Sequence, residues 1–128
     1  MSRVLYVDDN PKNLIEFKRA LGHSGVEVDV ACDLSTGLIR LSDRSYDFVF
    51  VDEDLASHRM TGELFGAEYL EQRARILNPN VVAVEFISGP QYNRKVSPNF
   101  ILMKPMCYRA NEISNIINGA INGAKANA

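Results

Sequence analysis

Four short apolar runs in this 128-residue chain each end in a residue that carries charge or a hydroxyl. Val4-Leu5-Tyr6-Val7 stops at Asp8 and Asp9, and Phe48-Val49-Phe50-Val51 stops at Asp52. The run from Val81 to Ile87 gives way to Ser88, and Phe100-Ile101-Leu102-Met103 gives way to Lys104. Brought together, these ends supply three carboxylates, a hydroxyl and an ammonium. Carboxylates so placed repel, and one has its pKa raised unless a cation sits among them. A hard divalent ion, Mg2+ or Mn2+, resolves the conflict: it takes one or two carboxylates, keeps several waters and completes its shell with phosphate oxygens. Ser88 offers a donor to a phosphoryl oxygen and Lys104 a point charge to another. An ionised aspartate beside them has the chemistry to attack an activated phosphoryl group and form an acyl phosphate.

The elements that must position these groups are legible as alternating strands and helices. Val4–Val7 and Phe48–Val51 are apolar on both faces, as central strands of a covered parallel sheet are. Asn10-Pro11 opens a helix by capping and by a missing N–H at the first helical position, and Leu14, Phe17, Lys18 and Leu21 follow at helical spacing. Ile15 widens that stripe and Gly22 offers a stop. Residues 26–31 alternate with period two, as a half-exposed edge strand does, leaving only Ala31 and Cys32 at its end.

Asp33 to Leu41 reads as a short helix with Leu34, Leu38 and Leu41 inward, weakened by Gly37. A longer helix from about Gly62 to Leu77 is expected to bury Leu64, Phe65, Tyr69, Leu70 and Ile76. Glu85 interrupts the otherwise apolar fourth strand. Residues 91–98 are polar and Pro-bounded, and Ile113, Ile116, Ile117, Ala120 and Ile121 form the stripe of a last helix. Strand–helix alternation implies right-handed crossovers and a parallel sheet. Five units in so short a chain predict an α/β, flavodoxin-like three-layer sandwich of strand order 2-1-3-4-5, with chemistry beyond the carboxyl ends of the strands.

Composition narrows the function classes. With 46% hydrophobic and 23% charged residues the chain is expected to be one ordinary globular domain, residues 1–124, with a short tail at 125–128. A net charge of −2 argues against a nucleic-acid partner. No apolar run approaches the roughly 20 residues that span a bilayer. Cys32 and Cys107 form no metal-type spacing, and the early carboxylates leave no room for a signal segment, which together predict a cytoplasmic location.

Taken with their order, Val4-Leu5-Tyr6-Val7-Asp8-Asp9-Asn10-Pro11, Tyr46-Asp47-Phe48-Val49-Phe50-Val51-Asp52, Ile87-Ser88-Gly89 and Met103-Lys104-Pro105 resemble the receiver domains of bacterial two-component response regulators, in the single-domain, chemotaxis-type form. The resemblance covers nearly the whole chain. It implies that Asp52 is the phosphoacceptor, that Asp8 and Asp9 are the acidic pair at Mg2+, and that Ser88 and Lys104 contact the phosphoryl group. It further implies that the backbone carbonyl of Asp54 joins the metal shell, its side chain tuning phosphoryl lifetime, and that Pro105 has a structural role in a Lys-Pro bond that is usually cis. The implied partners are a sensor histidine kinase or histidine phosphotransfer protein and an unknown output protein. The implied role is signalling rather than enzymatic turnover.

Departures from the family pattern lie downstream of the phosphoacceptor. The segment from Asp52 to Gly62 lacks the usual Pro and is about two residues longer. Only 15 residues separate Ser88 from Lys104, too few for a full fourth helix, and Ile101 stands where an aromatic is usual. These departures leave room for a receiver-fold interaction module that works without phosphorylation. Asp52-Glu53-Asp54 also resembles the nucleophile motif of haloacid-dehalogenase-type phosphohydrolases, although there the acidic pair comes last in the chain rather than first.

Overall fold

The computed structural model describes residues 2–21, 25–52, 66–87 and 100–103. Along the chain these form β1 (Arg3–Val7), α1 (Pro11–Leu21), β2 (Glu27–Ala31), α2 (Leu34–Asp43), β3 (Phe48–Asp52), α3 (Gly66–Leu77), β4 (Val82–Ile87) and β5 (Phe100–Met103). All strand pairs are parallel, and the order is β2-β1-β3-β4-β5, the order expected from the alternation. The last predicted helix, Leu64 and Phe65, Gly22 and the 91–98 segment lie outside the described residues.

Helices α1 and α2 each begin at a capping side chain. Asn10 Oδ1 accepts from the Lys12 backbone N–H at 3.0 Å, ahead of Pro11 at the first helical position. Asp33 is the cap of α2 and not its first residue: its carboxylate accepts from the Thr36 N–H at 2.7 Å. Helix α1 buries Leu14, Phe17 and Leu21 against Val4, Tyr6, Phe48, Phe50 and Val84 on one sheet face. The other face, with Leu5, Val7, Val49 and Val51, packs against Leu34 and Leu41 of α2 and Leu70 and Ala74 of α3. β2 is only partly covered, as an edge strand is.

Two apolar residues expected inside are outside. Ile15 is 58% and Ile76 70% exposed. In α3 the inward line runs through Leu70 and Ala74, and Ile76, two positions beyond Ala74, is rotated about 200° from it. Carboxylates occupy inward positions instead: Glu68 is fully buried, and Glu71 is 3% exposed and pairs with Arg75 one turn on. Gly37 also has a reason the helical pattern hides. A Cβ there would lie 3.2 Å from Val7 Cγ2 and 3.3 Å from Leu70 Cδ2, so the glycine lets α2 approach both β1 and α3.

Register is tied down at the amino-terminal end of the sheet. Asp47 accepts the Arg3 N–H on its side chain at 2.9 Å, donates its own N–H to Arg3 O at 2.9 Å, and accepts the Val82 N–H at 2.9 Å. Tyr46 is buried and donates from Oη to Asp29 Oδ2 of β2 at 2.6 Å, while Asn78 Nδ2 donates to its carbonyl at 2.9 Å. Burial first, and the Asp29 carboxylate second, push the Tyr46 pKa far above the ordinary tyrosine value and keep it a donor.

Overpacking a core typically costs about 1–3 kcal/mol, against about 1 kcal/mol gained in helix propensity. Gly37→Ala is therefore expected to lower stability by about 1 kcal/mol in urea denaturation; a gain would mean that Val7 and Leu70 have slack. Asp33→Ala, losing the α2 cap, should cost about 1 kcal/mol, and Asp33→Asn much less. The Thr36 N–H holds the Asp33 carboxyl below its ordinary value of 3.8. The carboxylate's contribution is thus complete above that value and is lost as pH falls through the lowered one. Stability profiles between pH 2 and 5 of the native and Asn chains check this, since the Asn cap does not titrate.

Candidate functional site

Parallel register brings the carboxylates together. Val7 of β1 stands opposite Val51 of β3, so the next residues, Asp8 and Asp52, emerge side by side at the carboxyl end of the sheet. With alternate residues facing opposite ways, Asp8 lies on the face of Tyr6, and Asp52 on the face of Phe50. Tyr6 and Phe50 are themselves register partners. Together Asp8, Asp9 and Asp52 place carboxylate oxygens within 4.8 Å of one another.

Their surroundings differ. Asp8 is fully buried and Asp52 is 1% exposed, whereas Asp9 is exposed. Asp8 is held from several sides: its Oδ2 accepts from Tyr6 Oη at 2.5 Å and from Asn13 Nδ2 at 3.0 Å, its Oδ1 accepts from the Asn10 N–H at 2.9 Å, and its own N–H donates to Ala31 O at 3.0 Å. Beneath it the Tyr6 ring lies 4.3 Å from that of Phe17, which lies 5.0 Å from Phe50, measured between centroids. The sequence pattern treats Asp8 and Asp9 as an equivalent pair; the fold buries and anchors one carboxyl group and leaves the other at the surface.

Tyr6 and Asn13 were not legible as site residues from motif alone. Tyr6 reads as one more apolar strand position, and the signal that could find it is its hydroxyl two residues before an aspartate, on the same strand face. Asn13 lies one helical turn beyond the capping Asn10. Cys32 is exposed, its Sγ 3.8 Å from the Asp33 carboxylate. Asp54, Ser88, Lys104 and Pro105 lie outside the described residues. The strands leading to Ser88 and Lys104 end as neighbours, with Ile87 opposite Met103.

Three carboxylates with this spacing are a hard-oxygen donor set. Oxygens opposite each other on one Mg2+ are about 4.2 Å apart, at metal–oxygen distances of about 2.1 Å. The trio thus fits a single such ion with small inward movement or with a metal-bound water between.

No protein-family model matches the sequence, and no curated protein sequence matches it. Solved structures do match in shape. A CheY-like response regulator receiver domain from Methanospirillum hungatei JF-1 superposes with TM-score 0.77 at 20% identity, covering 100% of this chain and 99% of that one. A response regulator receiver domain from Clostridium thermocellum gives TM-score 0.75 at 22% identity, covering all of both chains. This is the receiver-domain fold. The response regulator TrrA of Thermotoga maritima, solved in complex with Mg2+ and BeF, gives TM-score 0.69 at 20% identity over 94% of this chain and 99% of that one. Among the described residues of this receiver-fold chain, no helix is long and apolar enough to cross a membrane.

Unit charges about 5 Å apart repel by about 1 kcal/mol even in water. Asp9→Asn removes the exposed member's share without disturbing the hydrogen bonds at Asp8. It is expected to stabilise the ion-free protein by about 1 kcal/mol in urea with chelator present, a gain that shrinks as monovalent salt is added. Unchanged or lower stability would show that Asp9 does not bear on the other two carboxylates.

Proposed function

We propose that this protein is a phosphorelay receiver. In this reading Asp52 accepts a phosphoryl group from a phosphohistidine on a sensor kinase or histidine phosphotransfer protein. Mg2+ is held by Asp8, Asp9, Asp52 and the backbone carbonyl of Asp54, and the modified chain changes its interaction with an output protein. The observation that carries the reading is the register: it sets Asp52, at the end of a central strand, beside Asp8 in a trio of carboxylates within 4.8 Å. The shape of the chain, shared with receivers that include one solved with Mg2+ and BeF, supports it.

In the transfer, a carboxylate oxygen of Asp52 attacks phosphorus on the side opposite the imidazole nitrogen. The O–P bond forms as the P–N bond breaks, and the nitrogen leaves with the electron pair. When bound, the divalent ion neutralises the trio and stabilises charge on the transferring oxygens. Asp8 does not compete as a nucleophile, because its carboxylate is tied into the network of Tyr6, Asn10 and Asn13. Ser88 and Lys104, each one residue past the paired ends of β4 and β5, supply a donor and a counter-charge. The product carries close to two negative charges and three acceptor oxygens where one carboxylate stood, enough to draw Ser88 and Lys104 inward and bias a bistable surface.

Intact mass after incubation with Mg2+ and a small acyl phosphate tests this. The native chain is expected to gain the mass of one phosphoryl group, Asp52→Asn to gain none, and Lys104→Ala to gain less at equal times. A folded native protein that binds Mg2+ and gains nothing would reject the reading in favour of a phosphorylation-independent module. Steady release of inorganic phosphate from a phosphate monoester, lost in Asp54→Asn, would favour a phosphohydrolase.

A further inference from the structure

We infer that Tyr6 and Asn13 are positioning residues that hold down the divalent-ion affinity of the carboxylate trio by saturating one oxygen of Asp8. The inference rests on the trio being an ion site. A carboxylate has about four lone-pair positions, two on each oxygen. On Asp8 Oδ2 both are taken, by Tyr6 Oη at 2.5 Å and Asn13 Nδ2 at 3.0 Å, and on Oδ1 one is taken by the Asn10 N–H at 2.9 Å. Counting donors among the described residues, Asp8 thus has one position left, on Oδ1, for an ion or an ion-bound water.

Neither donor is free to turn away. Tyr6 has no exposed surface and its ring is wedged on Phe17. Asn13 is partly buried on the first turns of α1, whose start is fixed by the Asn10 cap. A bound cation draws electron density from the carboxylate, so hydrogen bonds to the same group weaken when the ion arrives. The two donors consequently stabilise the ion-free trio more than the ion-bound one. They do part of the charge-neutralising that an ion would otherwise do, and they hold the Asp8 carboxylate in one place between binding events.

The test is a thermodynamic cycle on the full chain: Mg2+ dissociation constants by calorimetric titration, with urea stability in chelator and in saturating Mg2+. Tyr6→Phe keeps the ring contact and removes only the hydroxyl; Asn13→Ala removes the second donor from a helix that tolerates Ala. Each is expected to bind Mg2+ about 3- to 10-fold more tightly than the native chain while losing stability mainly in chelator. Equal losses with and without Mg2+, leaving the dissociation constant unchanged, would reduce both to ordinary fold-stabilising residues and overturn the inference. Weaker binding would overturn it too, because the donors would then be presenting Asp8 to the ion. Should Tyr6→Phe not fold, Asn13→Ala decides the matter by the same readings. A folded native chain with no Mg2+ response, in contrast to a native response that the variants leave unaltered, would end the ion-site reading itself.

Discussion

Adjacent strands of a sheet lie about 4.8 Å apart, and a parallel register that sets Val7 opposite Val51 leaves the next two residues no freedom to separate. In this chain those residues are both aspartates, one fully buried and the other nearly so. Placing ionised carboxylates there costs several kcal/mol unless hydrogen bonds or a cation offset it. Much of the neighbouring sequence serves that need at Asp8. Asn10 does two jobs at once, capping α1 with its side chain and donating its backbone N–H to Asp8. Helix α1 in turn carries Asn13 to the same carboxylate and presses Phe17 against the Tyr6 ring.

The geometry at the carboxyl end depends on contacts at the other end of the sheet. A slip of one residue between β1 and β3 would reverse which face each side chain takes and carry Asp52 away from Asp8. Asp47 opposes such a slip by bonding both the N–H and the carbonyl of Arg3 and then the N–H of Val82, which locks the starts of β1, β3 and β4 together. Tyr46 adds the edge strand through Asp29, and Arg44 lies 3.4 Å from both Asp29 and Glu27. The Tyr46-Asp47 pair is thus a structural clamp whose product, a fixed register, is felt five residues later at Asp52.

Period and punctuation made the layout readable. Apolar runs that stop at acids, and a capping Asn before Pro, mark element boundaries by local physics that tertiary contacts do not override, so strand order and the convergence of Asp8, Asp9 and Asp52 follow from the sequence. Three features do not follow, for a shared reason. Ile76 looks like core because it is apolar, yet the inward line of α3 is set by where Leu70 and Ala74 meet α2 and β3. Gly37 looks like a helix weakness because propensity is local, whereas its value lies in closeness to Val7 and Leu70. The unlike fates of Asp8 and Asp9 depend on a tyrosine hydroxyl and an asparagine amide arriving from the α1 side, which no spacing rule encodes.

Val7 joins the two halves of this architecture. Its side chain lies under Gly37, where it limits how near α2 can come to the sheet, and its backbone leads directly into Asp8. Helix α3 meets the same point through Leu70, while elsewhere on its inward side it buries Glu68 and Glu71 in place of apolar residues. Leu70 and Ala74 are the buried apolar residues described on this helix, so the close approach at Gly37 adds to its hold, since dispersion and burial grow with the area brought together. The small residue at Gly37 therefore sets more than helix spacing. By letting α2 and α3 close over Val7, it packs the last residue of β1, whose backbone leads directly into the buried carboxylate.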